Sequence, residues 1–328
     1  MNIQLFKKGF MLFLLVLVCN MARAETPFSG LYVFGDSLTD NGNDYVVTGT
    51  MPNSFPIPPK ARYYKGRFSN GPNSSDQLWK LMGHSSQVKP FTAIRPSDLK
   101  ITGEEALNFA FGGSTSEILT SVLGQFSVPG LLGQVGIFNT IKPGNKVLKG
   151  SAALVWSGGN DYVNQYVTGV TTTNEQVTKN IEKAIKELYD SGIRNFIVPN
   201  LPDLGEVPIA YILASLTKND QIPQLLSNQA VEHNYKLASM LQNLAATLPH
   251  AKFYSVDIYS RVKAIISPSD IVPGPAAGCL YNIPAPNPVV CSAVGFRQGT
   301  KPIYWDEIHP TTDVHGIFAD AMLEAISQ

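Results

Sequence analysis

Five short runs of almost uninterrupted apolar residues constrain the fold more than any other feature of this sequence. They read GLYVFGD, ALNFAFG, AALVWSG, NFIVPN and KFYSVD, at residues 30–36, 106–112, 152–158, 195–200 and 252–257. Strands that are apolar on nearly every residue are covered on both faces, as in parallel sheets flanked by helices. The pattern therefore predicts a mainly parallel sheet of five strands.

Amphipathic segments lie between these runs and predict helices. In TNEQVTKNIEKAIKELYDSG the apolar residues keep helical spacing, and Gly192 is a plausible helix stop. QLLSNQAVEHNYKLASMLQNLAATL predicts a second long helix, and TTDVHGIFADAMLEAIS a last one, with Thr311 or Thr312 as its N-cap. Alternating strands and helices predict one α/β domain.

The N-terminus has the composition of a secretory signal peptide. Lys7 and Lys8 precede about ten apolar residues, and small residues lead up to Ala24. We therefore expect cleavage after residues 1–24 and export of a single domain, residues 25–328, to the periplasm or the extracellular space. A membrane anchor is the alternative, but the apolar run is too short to span a bilayer.

The three cysteines fit an exported protein. Cys19 leaves with the signal peptide, although it could also be a lipoprotein cysteine; the bulky Val18 before it disfavours that reading. Cys279 and Cys291 remain, and in an oxidising compartment we expect them to pair. The alternative is two buried free thiols. A disulfide across so short a loop would contribute about 3 kcal/mol on the chain-entropy model.

The charge balance excludes one class of partner. Lysine and arginine together number 25, as do aspartate and glutamate, so no polybasic surface indicates nucleic-acid binding. Two long irregular segments, residues 41–72 and the proline-rich 267–304, interrupt the α/β pattern. We expect both to be loops over the C-terminal edge of the sheet, where open α/β sheets place their sites.

Ser37 follows the first predicted strand, in the stretch YVFGDSLTDNGNDY. A tight turn there needs glycine, aspartate or asparagine, but it does not need this serine. A turn residue or a helix N-cap is the alternative role. As a nucleophile, Ser37 would need a base at the same edge, since a free hydroxyl is a weak nucleophile.

His309 is the candidate base. It lies in YWDEIHPT before the last helix, held extended by Pro310, and Asp306 is three residues upstream. An acid that fixes the imidazole tautomer and a base that accepts the serine proton are what a serine hydrolase requires. Asp203, in LPDLG after the fourth strand, is the rival acid. The other histidines are predicted to be solvated or on a helix surface: His84, His233, His250 and His315.

Two glycine-rich turns are candidates for the oxyanion hole. NFAFGGSTS ends the second strand and WSGGNDY the third, so both lie beside Ser37 in a doubly wound sheet. A glycine lets a backbone N–H approach an oxyanion, and the Asn160 side chain can add a second donor. Ordinary strand-to-helix turns would use the same residues. No spacing of histidines with a third ligand indicates a metal site.

Four ordered blocks resemble the GDSL, or SGNH, family of serine esterases and lipases: FGDSLTD, NFAFGGS, GGND and DEIHP. The resemblance spans residues 30–327. It implies a flavodoxin-like α/β/α sandwich, and a site of Ser37, Gly113, Asn160, Asp306 and His309 that uses no metal or organic cofactor. Gly113 rather than Gly112 follows from the alignment of the block.

Within that family the chain is most similar to secreted bacterial lysophospholipase A of the PlaA type and related phospholipid acyltransferases. The resemblance implies a lysophospholipid or other lipid ester as substrate, reached through transient contact with a membrane or micelle surface. A carboxylesterase for short-chain or carbohydrate esters is the alternative, and an exported lipid-binding protein with an inactive site is another. The loop between Cys279 and Cys291 could cover the site and be nicked by an activating protease, or be a stapled surface loop.

Overall fold

The computed structural model describes residues 27–51, 56–122, 126–141, 148–266 and 303–328. The signal peptide expected at residues 1–24 lies outside these ranges. Cys279, Cys291 and nearly all of the proline-rich segment around them lie outside as well, so their pairing stays a prediction.

Eight strands occur in the described chain: β1 (Leu31–Gly35), β2 (Lys89–Pro90), β3 (Ala106–Asn108), β4 (Leu119–Val122), β5 (Phe126–Pro129), β6 (Ala152–Trp156), β7 (Asn195–Pro199) and β8 (Lys252–Val256). Six of them form one parallel sheet in the order β2-β3-β1-β6-β7-β8, and β4 and β5 form a separate antiparallel pair. The five predicted strands are confirmed. The additional strand β2 has only two residues, one of them proline, so no pattern marks it.

The described ranges also contain ten α-helices: α1 (Asn43–Gly49), α2 (Ser74–Leu81), α3 (Leu131–Ile141), α4 (Gly159–Val163), α5 (Gln165–Thr168), α6 (Asn174–Asp190), α7 (Pro208–Thr217), α8 (Ile222–Thr247), α9 (Ile258–Ile265) and α10 (Thr312–Ser327). The three predicted long helices are α6, α8 and α10. Thr311 is the N-cap of α10, and Gly192, with φ of 102°, follows the end of α6.

Helices cover both faces of the sheet, as two aromatic contacts demonstrate. Phe34 in β1 packs against Phe138 of α3, with ring centroids 5.5 Å apart. Its neighbour Gly35 is paired with Trp156, which contacts Phe318 of α10. Because successive residues of a strand point to opposite faces, α3 and α10 lie on opposite sides. The architecture is therefore the expected three-layer α/β/α sandwich, with fully buried strands β1 and β6 at its centre.

The strand order places a crevice between β1 and β6. The chain passes from β1 to β3 on one side, then returns across β1 to form β6 on the other. The connections after β1 and β6 thus diverge at the C-terminal edge, which is where open parallel sheets bind ligands. Among the helices described here, none is long and apolar enough to cross a bilayer.

Candidate active site

Ser37 lies in a tight turn at the C-terminal end of β1. The Asp36 carbonyl accepts the N–H groups of Thr39 and Asp40 at 3.0 and 2.8 Å, and the Asp36 carboxylate accepts that of Leu38 at 3.0 Å. Ser37 is 7% exposed. The turn begins at Gly35, where a Cβ would lie only 2.3 Å from the Trp156 carbonyl oxygen, so only glycine fits this close approach.

Three buried asparagines hold this turn in place. Nδ2 of Asn73 donates to the carbonyls of Thr39 and Asp40, each at 2.9 Å, and Nδ2 of Asn108 donates to Thr39 at 2.6 Å. Asn43 donates in the same way to the β3 end of the sheet. Buried amides with their donors satisfied fix a loop in one conformation. This network accounts for the polar residues that follow the serine in the sequence.

The Asp40 carboxylate joins the serine turn to the first glycine-rich turn. It accepts backbone N–H groups from Gly42 at 2.8 Å and Asn43 at 2.7 Å, at the start of α1, and from Gly112 at 3.2 Å. Burial raises the pKa of Asp40 to about 6, against the effect of these donors. The backbone N–H of Gly112 is thus occupied by a carboxylate, while Gly113 follows with φ of 77°.

Asn160 lies in the glycine-rich turn after β6, at the start of α4, and its side chain reaches the turn after β3. Its Nδ2 donates to the Ser114 carbonyl at 2.9 Å. The next residue, Asp161, accepts the N–H and the hydroxyl of Ser116 at 2.9 and 2.7 Å. Burial raises the pKa of Asp161 to about 7. These bonds fix the turns after β3 and β6 against each other.

His309 and Asp306 form a close pair before α10. Nδ1 of His309 lies 2.6 Å from Oδ2 of Asp306, and the side chains are 12% and 3% exposed. Oδ1 of Asp306 accepts the N–H groups of Ile308 and His309. Burial alone would raise the pKa of Asp306 and lower that of His309, but the charge and hydrogen bond of each partner reverse both shifts. The pair therefore favours an ionised carboxylate beside a more basic imidazole.

The structure brings Ser37 and the His309 segment to the same edge of the sheet. Both border one cavity: Ser37 and Asn160 line it, as do Ile308 and Pro310 on either side of His309. The negative charge of Asp36, next to Ser37, adds to the factors that raise the pKa of His309. Residues from the two ends of the described chain thus converge on one crevice.

Asp203, the rival acid, has other partners. Its carboxylate accepts the Gly205 N–H and the Ser227 hydroxyl, and it lies 3.2 Å from Nζ of Lys263. The structure therefore pairs His309 with Asp306 rather than with Asp203.

The cavity beside Ser37 is apolar over most of its wall. It extends between the connection after β7 and helices α9 and α10, and it is lined by Leu38, Val163, Leu201, Leu204, Val207, Ile209, Val262, Ile303, Val314 and Phe318 among others. Its volume is about 60 Å³. A narrow apolar slot that opens on a serine suits an acyl chain better than a polar group.

A family model described as GDSL-like lipase/acylhydrolase matches residues 31–322, which include every residue of the site described above. The chain belongs to the GDSL lipase/acylhydrolase family. Family membership indicates that it is a carboxylic ester hydrolase.

Named relatives in this family include several proteins of Arabidopsis thaliana. GDSL esterase/lipase At3g50400 is 25% identical, with 92% of this chain and 88% of that protein covered. Inactive GDSL esterase/lipase-like protein 23 is 29% identical over 75% of this chain and 64% of its own length. A solved structure, the acetylxylan esterase Axe2 of Geobacillus stearothermophilus, has a TM-score of 0.47 and 12% identity, covering 91% of this chain and 94% of that one.

Two histidines are not where the sequence pattern placed them. His233, predicted to be solvated, is 1% exposed and its Nδ1 lies 2.9 Å from the Tyr162 hydroxyl. His315, predicted on the surface of α10, is also 1% exposed and accepts the Ser74 N–H through Nδ1. Both predictions were wrong because each histidine occupies the apolar stripe of its helix. Burial lowers the pKa of each to about 3, which keeps both neutral.

Gln134 supports the site, and the sequence pattern did not predict this role. This fully buried side chain on α3 bonds both the N–H and the carbonyl of Gly35, at 2.9 and 2.8 Å, and the Ser114 hydroxyl at 2.9 Å. It ties the strand end before Ser37 to the turn that holds Asn160. Its signal was a lone polar residue at helical spacing between Leu131 and Phe138.

Proposed function

We propose that this ester hydrolase uses Ser37 as its nucleophile and His309 as its base. Ser37 Oγ attacks the ester carbonyl while His309 takes the hydroxyl proton, and His309 then gives that proton to the departing alcohol. Asp306 holds the imidazole in the tautomer that carries its proton on Nδ1, which leaves Nε2 free to accept the serine proton. The carboxylate also stabilises the imidazolium that forms. The observation that carries the proposal is the 2.6 Å contact between His309 and Asp306 at the cavity that Ser37 lines.

The acyl-enzyme is then resolved by the reverse sequence. His309 accepts a proton from water, the hydroxide adds to the acyl carbonyl, and Ser37 leaves with the proton returned by His309. A lipid alcohol in place of water would give acyl transfer rather than hydrolysis. No step needs a metal or an organic cofactor.

Three donors would hold the oxyanion: the N–H groups of Ser37 and Gly113 and the side-chain amide of Asn160. The occupied N–H of Gly112 supports Gly113 as the backbone donor. The Asn160 amide has two N–H bonds, and its contact with Ser114 uses one and aims the other. Its position is thus fixed before substrate binds, which is what electrostatic stabilisation of a transition state requires.

We expect Asn160→Ala to lower kcat by about 100- to 1000-fold with little change in KM, because the donor acts on the oxyanion. Steady-state hydrolysis of p-nitrophenyl esters measures this. Asn164→Ala, four residues further along, is the matched control and should retain activity. A variant at Asn160 with unchanged kcat would remove this residue from the oxyanion hole.

For the substrate, we propose lysophospholipids, which carry one acyl chain on a polar head. The apolar slot that opens on Ser37 supports the binding of one acyl chain. The slot is bordered by Val262 and Ile303, which flank residues 267–302 in the sequence.

A short-chain ester is the second candidate, and the volume of the slot favours it. The slot has a volume of about 60 Å³, and about 10–15 Å³ holds one water, so the slot is small for a long acyl chain. Rates with lysophosphatidylcholine and with p-nitrophenyl esters from acetate to palmitate would distinguish the two candidates. A rate that falls steadily beyond butyrate would reject the lysophospholipid.

A cavity-filling variant tests whether the slot binds the acyl chain at all. We expect Val262→Phe to lower the rate on the longest accepted ester relative to acetate by about 10-fold, since each methylene bound is worth about 1–3 kcal/mol. Val170→Phe, at a position 72% exposed, is the control. If Val262→Phe keeps the wild-type ratio of rates across chain lengths, the acyl chain binds elsewhere.

The cellular setting also remains a proposal. We propose export by the N-terminal signal and action outside the inner membrane, with lipid aggregates as the site of contact. Sequencing the N-terminus of the protein recovered from culture medium and periplasm would test this; an intact Met1 in the active protein would contradict it.

A further inference from the structure

Tyr63 contacts the proposed catalytic acid directly. Its hydroxyl donates to Oδ2 of Asp306 at 2.8 Å, the same oxygen that faces Nδ1 of His309. Tyr63 lies within residues 41–72, which were expected to form a loop; that expectation was wrong for helix α1 (Asn43–Gly49), and Tyr63 lies in the irregular part that follows. Its ring also packs edge-on against Phe68, whose ring lies 5.0 Å from the imidazole of His309.

The rest of this segment is bonded to the chain on both sides of His309. The Ser69 hydroxyl donates to the Pro310 carbonyl at 2.9 Å, and Asn70 accepts the Thr312 N–H at 2.8 Å. Residues 63–72 therefore pack along residues 306–312 and hold them by hydrogen bonds. Tyr63 supplies the hydrogen bond to the proposed catalytic acid through its hydroxyl.

We infer that Tyr63 is a positioning residue that holds the Asp306 carboxylate and, through it, sets the orientation and basicity of His309. This inference rests on the proposed roles of Asp306 and His309. Oδ2 receives one hydrogen bond from a phenol and one from the imidazole, so the two donors share the same charge. Removing the phenol concentrates that charge on the imidazole.

The pH dependence follows from the groups that face His309. These are Asp306 and Glu307 on its own segment, Asp36 after β1, neutral His315 on α10, and Tyr63 with Arg62 beside it. The carboxylates raise the pKa of His309. The Tyr63 hydroxyl donates to Oδ2 of Asp306, and a donor at that oxygen reduces the attraction of the carboxylate for the imidazolium. Loss of that donor should raise the pKa of His309 further. Because only neutral His309 accepts the serine proton, the acid limb of the rate profile then moves to higher pH.

Tyr63→Phe tests this, because it keeps the ring against Phe68 and removes only the hydroxyl. We expect kcat to fall about 10-fold with KM unchanged, and the acid limb of kcat/KM to move up by about 0.5–1 pH unit. Tyr64→Phe removes a hydroxyl from the adjacent residue and should leave kcat and the position of the acid limb unchanged. Titration with a fluorophosphonate probe normalises every rate to the reactive serine, so a fold defect is separated from a slower site.

A double-mutant cycle with Asp306→Asn completes the experiment. If Tyr63 acts through the carboxylate, its replacement should have no further effect on the residual rate of the Asp306→Asn variant. An equal loss in both backgrounds, or a loss of activity with an unmoved pH limb, would overturn the inference. Wild-type protein that the probe does not label would instead reject the serine mechanism and leave the Tyr63 contact as a structural bond.

Discussion

Replacing Ser37 with alanine is expected to lower kcat by about 10⁶-fold, the largest effect of any substitution considered. The serine oxygen forms the acyl bond, so no neighbouring group can replace it. The turn should remain intact, because its bonds come from Asp36, Asn73 and Asn108 and not from the serine side chain. Rates on an activated ester, with a thermal unfolding curve for each protein, measure the effect.

Covalent labelling provides the second readout for Ser37. A fluorophosphonate should modify the wild-type protein at this residue and leave Ser37→Ala unmarked, while Ser239→Ala on α8 should label normally. An inactive relative exists in the same family, so this test also separates an enzyme from a lipid-binding protein with a dead site. Full esterase activity in Ser37→Ala would end the assignment.

Asp306→Asn is expected to lower kcat by about 10⁴-fold. The two backbone N–H groups at Oδ1 hold the amide oxygen of the variant there, so its NH₂ group faces Nδ1 of His309, favours the wrong tautomer and lacks the charge that stabilises the imidazolium. Asp203→Asn is the matched control because it removes the rival carboxylate from its bonds with Ser227 and Lys263. We expect that variant to unfold at a lower temperature with kcat unchanged.

The comparison of these two variants decides the identity of the acid. A larger loss of kcat in Asp203→Asn than in Asp306→Asn would transfer the role to Asp203. Wild-type kcat in both variants would mean that His309 works without a carboxylate partner.

The layered fold could be predicted because burial on both faces leaves a continuous apolar run in each central strand. The same rule fails for β2, whose two residues pair through the backbone alone. It also fails for the antiparallel pair β4 and β5, where Leu119 is 62% exposed and no alternation marks a buried face.

Single polar residues in apolar stripes were the other failure. His233 and Gln134 sit at helical spacing from buried leucines, and each bonds a group from a distant part of the chain: His233 the Tyr162 hydroxyl, and Gln134 the backbone of Gly35. The polar type of each residue suggested exposure to solvent, whereas its position on the apolar face of a helix requires burial. A polar residue on the apolar face of a helix is therefore better read as evidence of a buried hydrogen bond.

The sequence predicted the motifs of the candidate site one by one, but not how they come together. Spacing relates Asp306 to His309, since three residues limit how far the carboxylate can be from the ring. Nothing local relates either residue to Ser37 or to Tyr63, because those distances depend on strand order and on an irregular segment. The direct Tyr63 contact joins residues 243 positions apart.

The position of the His309 segment has a consequence for biosynthesis. The turn of the proposed nucleophile is made early, near the start of the described chain, but the proposed base lies just before α10, the last helix of the described residues. That base becomes aligned only when α10 packs against α2 and the sheet. A growing polypeptide in which this segment and α10 have not yet been made consequently carries the proposed nucleophile without the base proposed to activate it.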